Sequence, residues 1–448
     1  MNMPTFFRHF SILLIAIIFI GSTFVFAQDD QSTAAPKPKT FALNPDNLGV
    51  IGNSVNLFSG DVNLPLNLFT LPGKNGLDVS VTIAYSSNIQ NVVNTWNLET
   101  ATGILGLGWS SDYEKIVVDH KGTGSRHDDD FYLIAGGASN LFVRTGTVTD
   151  NPYIYETQNH QFWKIRCYPS LERWEITREN GITYVYGDKN SNRNTVQWGV
   201  KWGNWIGSSA ETTGQQQFGL AWNISEIYNA WGDKIIFEYE NINSNVGSTS
   251  AGKQHTEASY LKKIKDVFGR TAEYFYGNKY GDTNPGPNGE WEYQEPHTER
   301  PEPDAYQEMY EIRYLDRIEI FDETNDKLFS VHFTYGFHGT GNQAKRLLST
   351  ITQKNADSKV LPGIKLEYHP AGSIHAAALK KIILPGGGSA EYTYSVKNIN
   401  AWRDFVLTSP QPNSYKEPRV WIANNYVVVT WRNSSNQLKI YVYGLKRN

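Results

Sequence analysis

One spacing recurs along the second half of the chain: an aliphatic residue, two residues, Ile, four residues, Gly, four residues, an aromatic, one residue, Tyr. It is met by Ile224-Ile227-Gly232-Phe237-Tyr239, Leu261-Ile264-Gly269-Tyr274-Tyr276 and Leu379-Ile382-Gly387-Tyr392-Tyr394. Two stretched copies keep the ends, Leu315-Ile318 with Phe333-Tyr335 and Leu348-Ile351 with Leu366-Tyr368. Each unit reads as a hairpin. Apolar residues at every second position of both arms face one side of a sheet, and Gly supplies a turn conformation that other residues adopt at a cost. A lone hairpin is marginal in water, so the units must stack to bury their faces. An extended, curved antiparallel sheet over roughly residues 220–395 follows. The polar stretch 243–258 and the Pro/Glu-rich stretch 281–309 are expected as surface loops between units.

Composition agrees with an all-β chain. The 448 residues include 26 Tyr, 21 Phe, 13 Trp and 38 Gly against 3 Met, a mixture suited to sheets and tight turns. Alternation marks further strands at Val79–Tyr85 and at 174–177 and 182–186, the last two joined by the hairpin-forming Asn180-Gly181. Helical periodicity is absent beyond the N-terminus. The 41 basic and 45 acidic residues form no basic block, which argues against nucleic acid as a partner. The single cysteine, Cys167, excludes an internal disulfide and a cysteine zinc cluster.

Residues 1–27 have the layout of a secretory signal. Arg8 and His9 precede the apolar run Ile12–Ile20, and Val25-Phe26-Ala27 sets cleavage after Ala27. An N-terminal anchor is the alternative, because the apolar run extended through Phe26 approaches a spanning length. No other stretch is apolar enough to span a bilayer, so a secreted or cell-surface protein with no stable membrane span after cleavage is expected. Residues 28–47 read as a flexible leader, with Pro36 and Pro38 among polar residues.

Four blocks then follow: Asn63-Leu64-Pro65, Leu71-Pro72-Gly73-Lys74-Asn75-Gly76-Leu77, Ile83-Ala84-Tyr85-Ser86-Ser87, and Gly103-Ile104-Leu105-Gly106-Leu107-Gly108-Trp109. They resemble the opening of the SpvB, Tc-toxin B-component and Rhs (YD-repeat) shell proteins. The hairpin array is similar to that family's degenerate YD repeats, and Asp129–Gly136 followed by Leu141 is similar to its next block. The resemblance implies structural motif roles for Leu71, Pro72, Gly73, Asn75, Gly76, Tyr85, Ser87, Gly106, Gly108 and Trp109. It implies part of a β-cocoon shell, and a partner that is either a toxin-complex chain or a downstream Rhs-type polypeptide. Residues 88–102 form an insertion relative to the family pattern, and family shells are much longer than this chain. The regions that would carry an ADP-ribosyltransferase or a self-cleaving aspartyl protease lie beyond it, so no toxin chemistry is implied here. Residues 400–448 read as a long hairpin resembling the start of a β-propeller, which implies a truncated frame or continuation by a second chain. The expected organisation is therefore a signal (1–27), a leader (28–47), an SpvB-like β domain (48–219), hairpin repeats (220–399) and a propeller-like segment (400–448).

The remaining candidates for chemistry each meet an ordinary structural reading. His127-Asp128-Asp129-Asp130 offers oxygen ligands for Ca²⁺ but lacks EF-hand spacing, and a charged turn before a strand accounts for it as well. His120, His160, His332, His338 and His369 lack catalytic zinc spacing. Carboxylate pairs for glycoside hydrolysis cannot be assigned from spacing alone. Pro385-Gly386-Gly387-Gly388-Ser389 has no P-loop ending and reads as the last repeat's turn. Cys167, in the strand-like Trp163–Tyr168, reads as a buried structural thiol. No catalytic group, cofactor or metal is expected. A second function class stays open: an exported carbohydrate- or surface-binding protein that stacks ligand on Trp198, Trp202 and Trp205, with Trp222 and Trp231 nearby in sequence.

Overall fold

The computed structural model describes residues 35–40, 54–56, 60–90, 92–93, 102–111, 113–119, 129–136, 138–147, 151–202, 215–245, 253–292 and 309–395, and the backbone of 416–423, 426–432 and 438–444. The expected signal peptide, most of the leader, His120, His127, Asp128 and Trp205 lie outside these residues. The protein is all-β. Its only helical elements among the described residues are short 3₁₀ turns at Pro169–Leu171 and Gly341–Gln343.

The first sheet has four antiparallel strands, β1 (Lys39–Thr40), β2 (Asn63–Leu71), β3 (Val79–Ser86) and β4 (Trp109–Ser111). Strict alternation along β3 buries Val79, Val81, Ile83 and Tyr85. A long second sheet follows. It contains β5 (Lys115–Asp119), β6 (Asp130–Ala135), β7 (Ala138–Arg144), β8 (Tyr153–Thr157), β9 (Lys164–Tyr168), β10 (Arg173–Thr177), β11 (Thr183–Gly187), β12 (Val196–Trp202) and β13 (Gln215–Tyr228). The hairpin array then runs through β14 (Lys234–Asn245), β15 (Gln254–Lys265), β16 (Thr271–Asn278), β17 (Arg313–Phe321), β18 (Lys327–His338), β19 (Lys345–Asn355), β20 (Ile364–Tyr368), β21 (Leu379–Ile383) and β22 (Ser389–Glu391). Successive strands from β13 to β22 are all paired antiparallel.

Sequence reasoning did not reveal the eight-stranded barrel. Strands β5 to β11 pair in order, and β13 closes the ring by pairing with both β11 and β5. Eight strands leave a lumen just wide enough for side chains to fill. Here it holds an aromatic cluster of Phe131, Phe142, Tyr155, Trp174 and Trp222, with ring centroids 4.9–5.9 Å apart. Cys167 is buried in the same wall, as its strand-like setting suggested. Because β13 also pairs with β14, one strand belongs to both barrel and array, and it runs through residue 219.

All five hairpins form, the three regular copies with their expected Gly turns, but simple alternation does not hold. A spacing of three would put Leu261 and Ile264 on opposite faces of a regular strand, yet both are buried. A β-bulge resolves this. Tyr239 opposes Leu261 while Glu238 opposes Lys263, so Lys262 is the extra residue that restores the face. The same skip falls at Asp316, Ser349 and Lys380, opposite Tyr276, Tyr335 and Tyr368, and at Ser225 in β13. Each turn is a three-residue hairpin loop closed by a left-handed residue: Gly232, Gly269, Asn325, Ser358 or Gly387, with φ from 64° to 92°. Asn or Asp stands three positions earlier in four of them. The Asp266 carboxylate, for example, accepts from the backbone N–H of Phe268 and Arg270 at 3.0 and 2.8 Å.

One expected loop is shorter than the sequence suggests, and the other is partly buried. Residues 243–245 and 254–258 continue β14 and β15, because backbone pairing carries the ladder through polar residues, with Thr256 and His255 buried. Within 281–309, Glu290 and Glu292 are buried rather than exposed. The C-terminal residues, a separate compact unit from Thr393 onward, hold three strands where a two-stranded hairpin was expected. They are β23 (Lys416–Ala423), β24 (Tyr426–Arg432) and β25 (Leu438–Gly444). The first two pair antiparallel, with their ends meeting at Ala423 and Tyr426.

Candidate functional site: a clasp between the opening motifs and the hairpin wall

The motif residues of the first sheet meet the repeats. The tip between β2 and β3 lies on two of the five hairpin turns. Asn75, left-handed at φ 51°, donates from Nδ2 to Asp233 at 3.1 Å, and the Lys74 ammonium sits 4.9 Å from the Phe268 ring centroid. Arg270, fully buried, pairs with Asp266 at 2.6 Å and donates to the carbonyls of Pro72 (2.6 Å) and Pro36. Leu71 is buried in β2, and Gly73 and Gly76 shape the tip. A Cβ on Gly73 would fall 1.7 Å from the Leu77 carbonyl oxygen, so no other side chain fits.

At the other end of β3 the geometry is equally specific. The Tyr85 hydroxyl accepts from the Leu379 N–H at 2.9 Å, and its ring lies 5.3 Å from that of Trp109. Gly108 permits this, since a Cβ there would stand 2.6 Å from the Tyr85 ring. Gly106, at φ 86°, lets the chain approach the Arg346 carbonyl, which accepts from the Leu107 N–H at 2.8 Å. Trp109 donates from Nε1 to Tyr368 at 2.9 Å, and the Ser87 hydroxyl accepts from Val62 at 2.9 Å. Apart from Ser87, which bonds Val62 next to β2, the motif residues thus serve two clasps, one at the turns and one across β19 to β21.

The repeat tyrosines have a second task that the spacing alone did not disclose. Three of the five donate to the carbonyl of the aliphatic residue opening their own hairpin, Tyr276 to Leu261 (2.7 Å), Tyr335 to Leu315 (2.5 Å) and Tyr368 to Leu348 (2.6 Å), whereas the Tyr239 hydroxyl makes no hydrogen bond among the described residues. These carbonyls lie at the bulges, where the ladder is disturbed, so the hydroxyl satisfies a group that the irregularity loosens. Burial pushes the phenols of Tyr276, Tyr335 and Tyr368 upward.

A buried charged cluster under the second clasp was missed because Glu292 sits in a stretch read as surface. Arg346 donates to Glu292 at 2.6 Å and stacks 3.9 Å from the Tyr314 ring centroid. Lys279 donates to the Gly103 carbonyl at 2.8 Å and to Thr102 at 3.2 Å. Burial pushes Glu292 and Glu311 up and Lys279 and Lys115 down. Lys345 is fully buried, and its Nζ makes no hydrogen bond among the described residues. Burial first, then the Lys279 charge, pushes its amine down to about 8. The cluster is enclosed, and its satisfied members bond to backbone and to each other, which suits holding segments together.

The tryptophans are dispersed. Trp198 is half-buried on β12, and Trp202 ends that strand with its side chain outside the described set. Trp222 is 1% exposed in the barrel lumen and donates to Glu172 at 3.1 Å, while Trp231 is 75% exposed in a hairpin turn. Among the described residues, no three His, Cys, Asp or Glu side chains are grouped to hold a metal, and no helix is long and apolar enough to cross a membrane. Of the histidines, His332 and His338 are pushed down by burial, His369 lies 6.0 Å from His375, and exposed His160 lies 3.7 Å from Glu156.

No family model matches the chain. It is 23% identical over 199 residues to salivary gland surface protein 1 of Aedes aegypti, a span that is 44% of this chain and 6% of that protein. Among solved structures, the N-terminal domain of effector protein SpvB from Salmonella typhimurium strain LT2 is 15% identical, with 65% of this chain and 99% of that one covered at a TM-score of 0.40. The TcdB2-TccC3 structure is 12% identical, with 93% of this chain and 21% of that one covered at a TM-score of 0.43. The chain therefore spans about a fifth of the latter and a small fraction of the salivary protein.

Proposed function

We propose that this chain is a secreted, non-enzymatic shell segment similar to the SpvB, Tc-toxin B-component and Rhs proteins, which encloses or presents a partner polypeptide. The observation that carries the reading is the wall itself. Five hairpins repeat one bulge and one turn, three of them add the same tyrosine bond, and the opening motifs clasp that wall rather than build a reactive centre. Bulges at equivalent places add twist at regular intervals, which is how an antiparallel sheet is made to curve. The proposed organisation keeps a cleaved signal over 1–27, a leader over 28–47, an SpvB-like domain over 48–219, repeats over 220–399 and a propeller-like segment over 400–448. The partner is a toxin-complex chain or a downstream Rhs-type polypeptide. It would meet the wall at strands such as β22, which pairs only with β21 among the described residues and so offers an edge. Size-exclusion chromatography with light scattering tests this on the full chain, alone and mixed with the product of the adjacent downstream reading frame. A stable complex is expected. A cooperatively melting monomer that ignores that product would refute the reading.

A further inference from the structure

The outer surface of the barrel carries a cleft of about 250 Å³ between β6, β7 and the loop after β8. Its apolar contribution comes from Tyr132 and Leu141, which are paired across β6 and β7 and share the outward face. Ser139, Asn140, Gln158 and Asn159 supply the polar lining. None of these side chains, nor the Tyr132 hydroxyl, makes a hydrogen bond among the described residues, although elsewhere in the protein amides and hydroxyls are widely paired. The lining holds no Asp, Glu, Lys, Arg or His.

The cleft is shaped in advance. After Thr157 the chain turns tightly: the His160 N–H donates to the Thr157 carbonyl at 2.9 Å and the Gln161 N–H to its Oγ1 at 2.8 Å. The Gln158 N–H is bonded to the Leu141 carbonyl at 2.9 Å, which fixes the loop to β7. His160 takes a left-handed φ of 52° to close the turn. The same loop leaves Phe162 89% exposed, a ring with no packing role in the fold.

We propose that this cleft binds one neutral pyranose ring of a glycan. A sugar presents hydroxyls that both donate and accept, and a side-chain amide offers both functions from one group. Its C–H face needs an aromatic or aliphatic partner, which Tyr132 and Leu141 provide. A phosphate, carboxylate or ammonium would find no countercharge here and would lose hydration without compensation. The volume lies below the roughly 300–1,000 Å³ of clefts for drug-sized ligands, which fits a single ring rather than an extended oligomer. The site is separate from the Trp198 region and from the clasps, and it does not depend on the shell reading.

The test is saturation-transfer NMR on the full chain with a panel of neutral methyl hexosides and N-acetylhexosaminides, beside glucuronate and N-acetylneuraminate as charged controls. Transfer from at least one neutral glycoside is expected, with a Kd on the order of 1 mM. The double substitution Asn140→Ala with Asn159→Ala should weaken it at least about tenfold, and Ser139→Trp, which fills the cleft, should abolish it. Unchanged thermal melting of both variants confirms that the fold is retained. No transfer from any neutral glycoside would overturn the proposal. So would transfer that survives both variants, or equal transfer from the charged sugars.

Discussion

Tyr368→Phe is the substitution that most directly tests how the opening motifs are tied to the wall. The Tyr368 hydroxyl donates to the Leu348 carbonyl at 2.6 Å and accepts from Trp109 Nε1 at 2.9 Å. Phe keeps the ring and removes both bonds, leaving a buried carbonyl and a buried indole N–H without partners. Each unsatisfied group costs about 1–3 kcal/mol, so the loss should be about 2–6 kcal/mol. Tyr335→Phe is the internal control, because its hydroxyl makes only the repeat bond, to Leu315 at 2.5 Å, and should cost about 1–3 kcal/mol. Equilibrium urea unfolding of both variants measures the difference. In a Trp109→Phe background, which lacks the indole donor, Tyr368→Phe should fall back to the cost of Tyr335→Phe, a coupling of about 1–2 kcal/mol. Equal costs for Tyr368→Phe and Tyr335→Phe, or no coupling to Trp109, would refute the clasp.

Three further expectations rest on equally local geometry. Gly106→Ala puts a methyl 2.6 Å from the Arg346 carbonyl oxygen at φ 86°, whereas Gly372→Ala at φ 85° meets nothing within 4 Å. The latter should cost the left-handed penalty of about 1–2 kcal/mol, and Gly106→Ala clearly more, by denaturation midpoints. Arg270→Met strands the buried Asp266 carboxylate and should cost about 3–5 kcal/mol, and limited proteolysis should find the chain near Pro36 newly susceptible. Lys345 gives a pH signature. Its amine titrates at about 8 in the folded protein against 10.5 when exposed, so between these values the unfolded chain holds more protons and stability rises with pH. The full gain is on the order of 3 kcal/mol. The buried tyrosines act in the opposite sense, because their unfolded forms release protons near pH 10 first, so stability should fall again above that. Lys345→Met should flatten the rise from pH 8 to 10 in chemical denaturation and leave the alkaline fall.

What the sequence showed clearly was local. A turn signal such as Gly232 or Asn180-Gly181, flanked by apolar residues, specifies its own hairpin within a dozen residues, and those hairpins form. The spacing of three between Leu and Ile also held the bulge. An odd interval in a strand that buries both ends requires one extra residue, and reading it as alternation lost the point. The Asx residue three places before four of the five left-handed positions was equally visible, at Asn229, Asp266, Asp322 and Asn355. Barrel closure was not visible, since β13 pairs through Ala221 with Val117 more than a hundred residues earlier, and no local pattern encodes that choice.

The motif cluster shows why recognisable residues and their purpose came apart. Gly106, Gly108 and Trp109 form a compact sequence block, but each answers to a different distant group: the Arg346 backbone, the Tyr85 ring and the Tyr368 hydroxyl. A glycine chosen for close approach carries no sign of what approaches it. The same logic hid the buried charges, because Glu292 lies in a run of polar residues, and only the Arg346 guanidinium, which reaches it from β19, accounts for its burial. These contacts also explain why the first sheet and the array behave as one unit through Tyr392: the Asn75 tip, the Tyr85 hydroxyl, the Gly106 turn and Trp109 are each completed by a group from the hairpins.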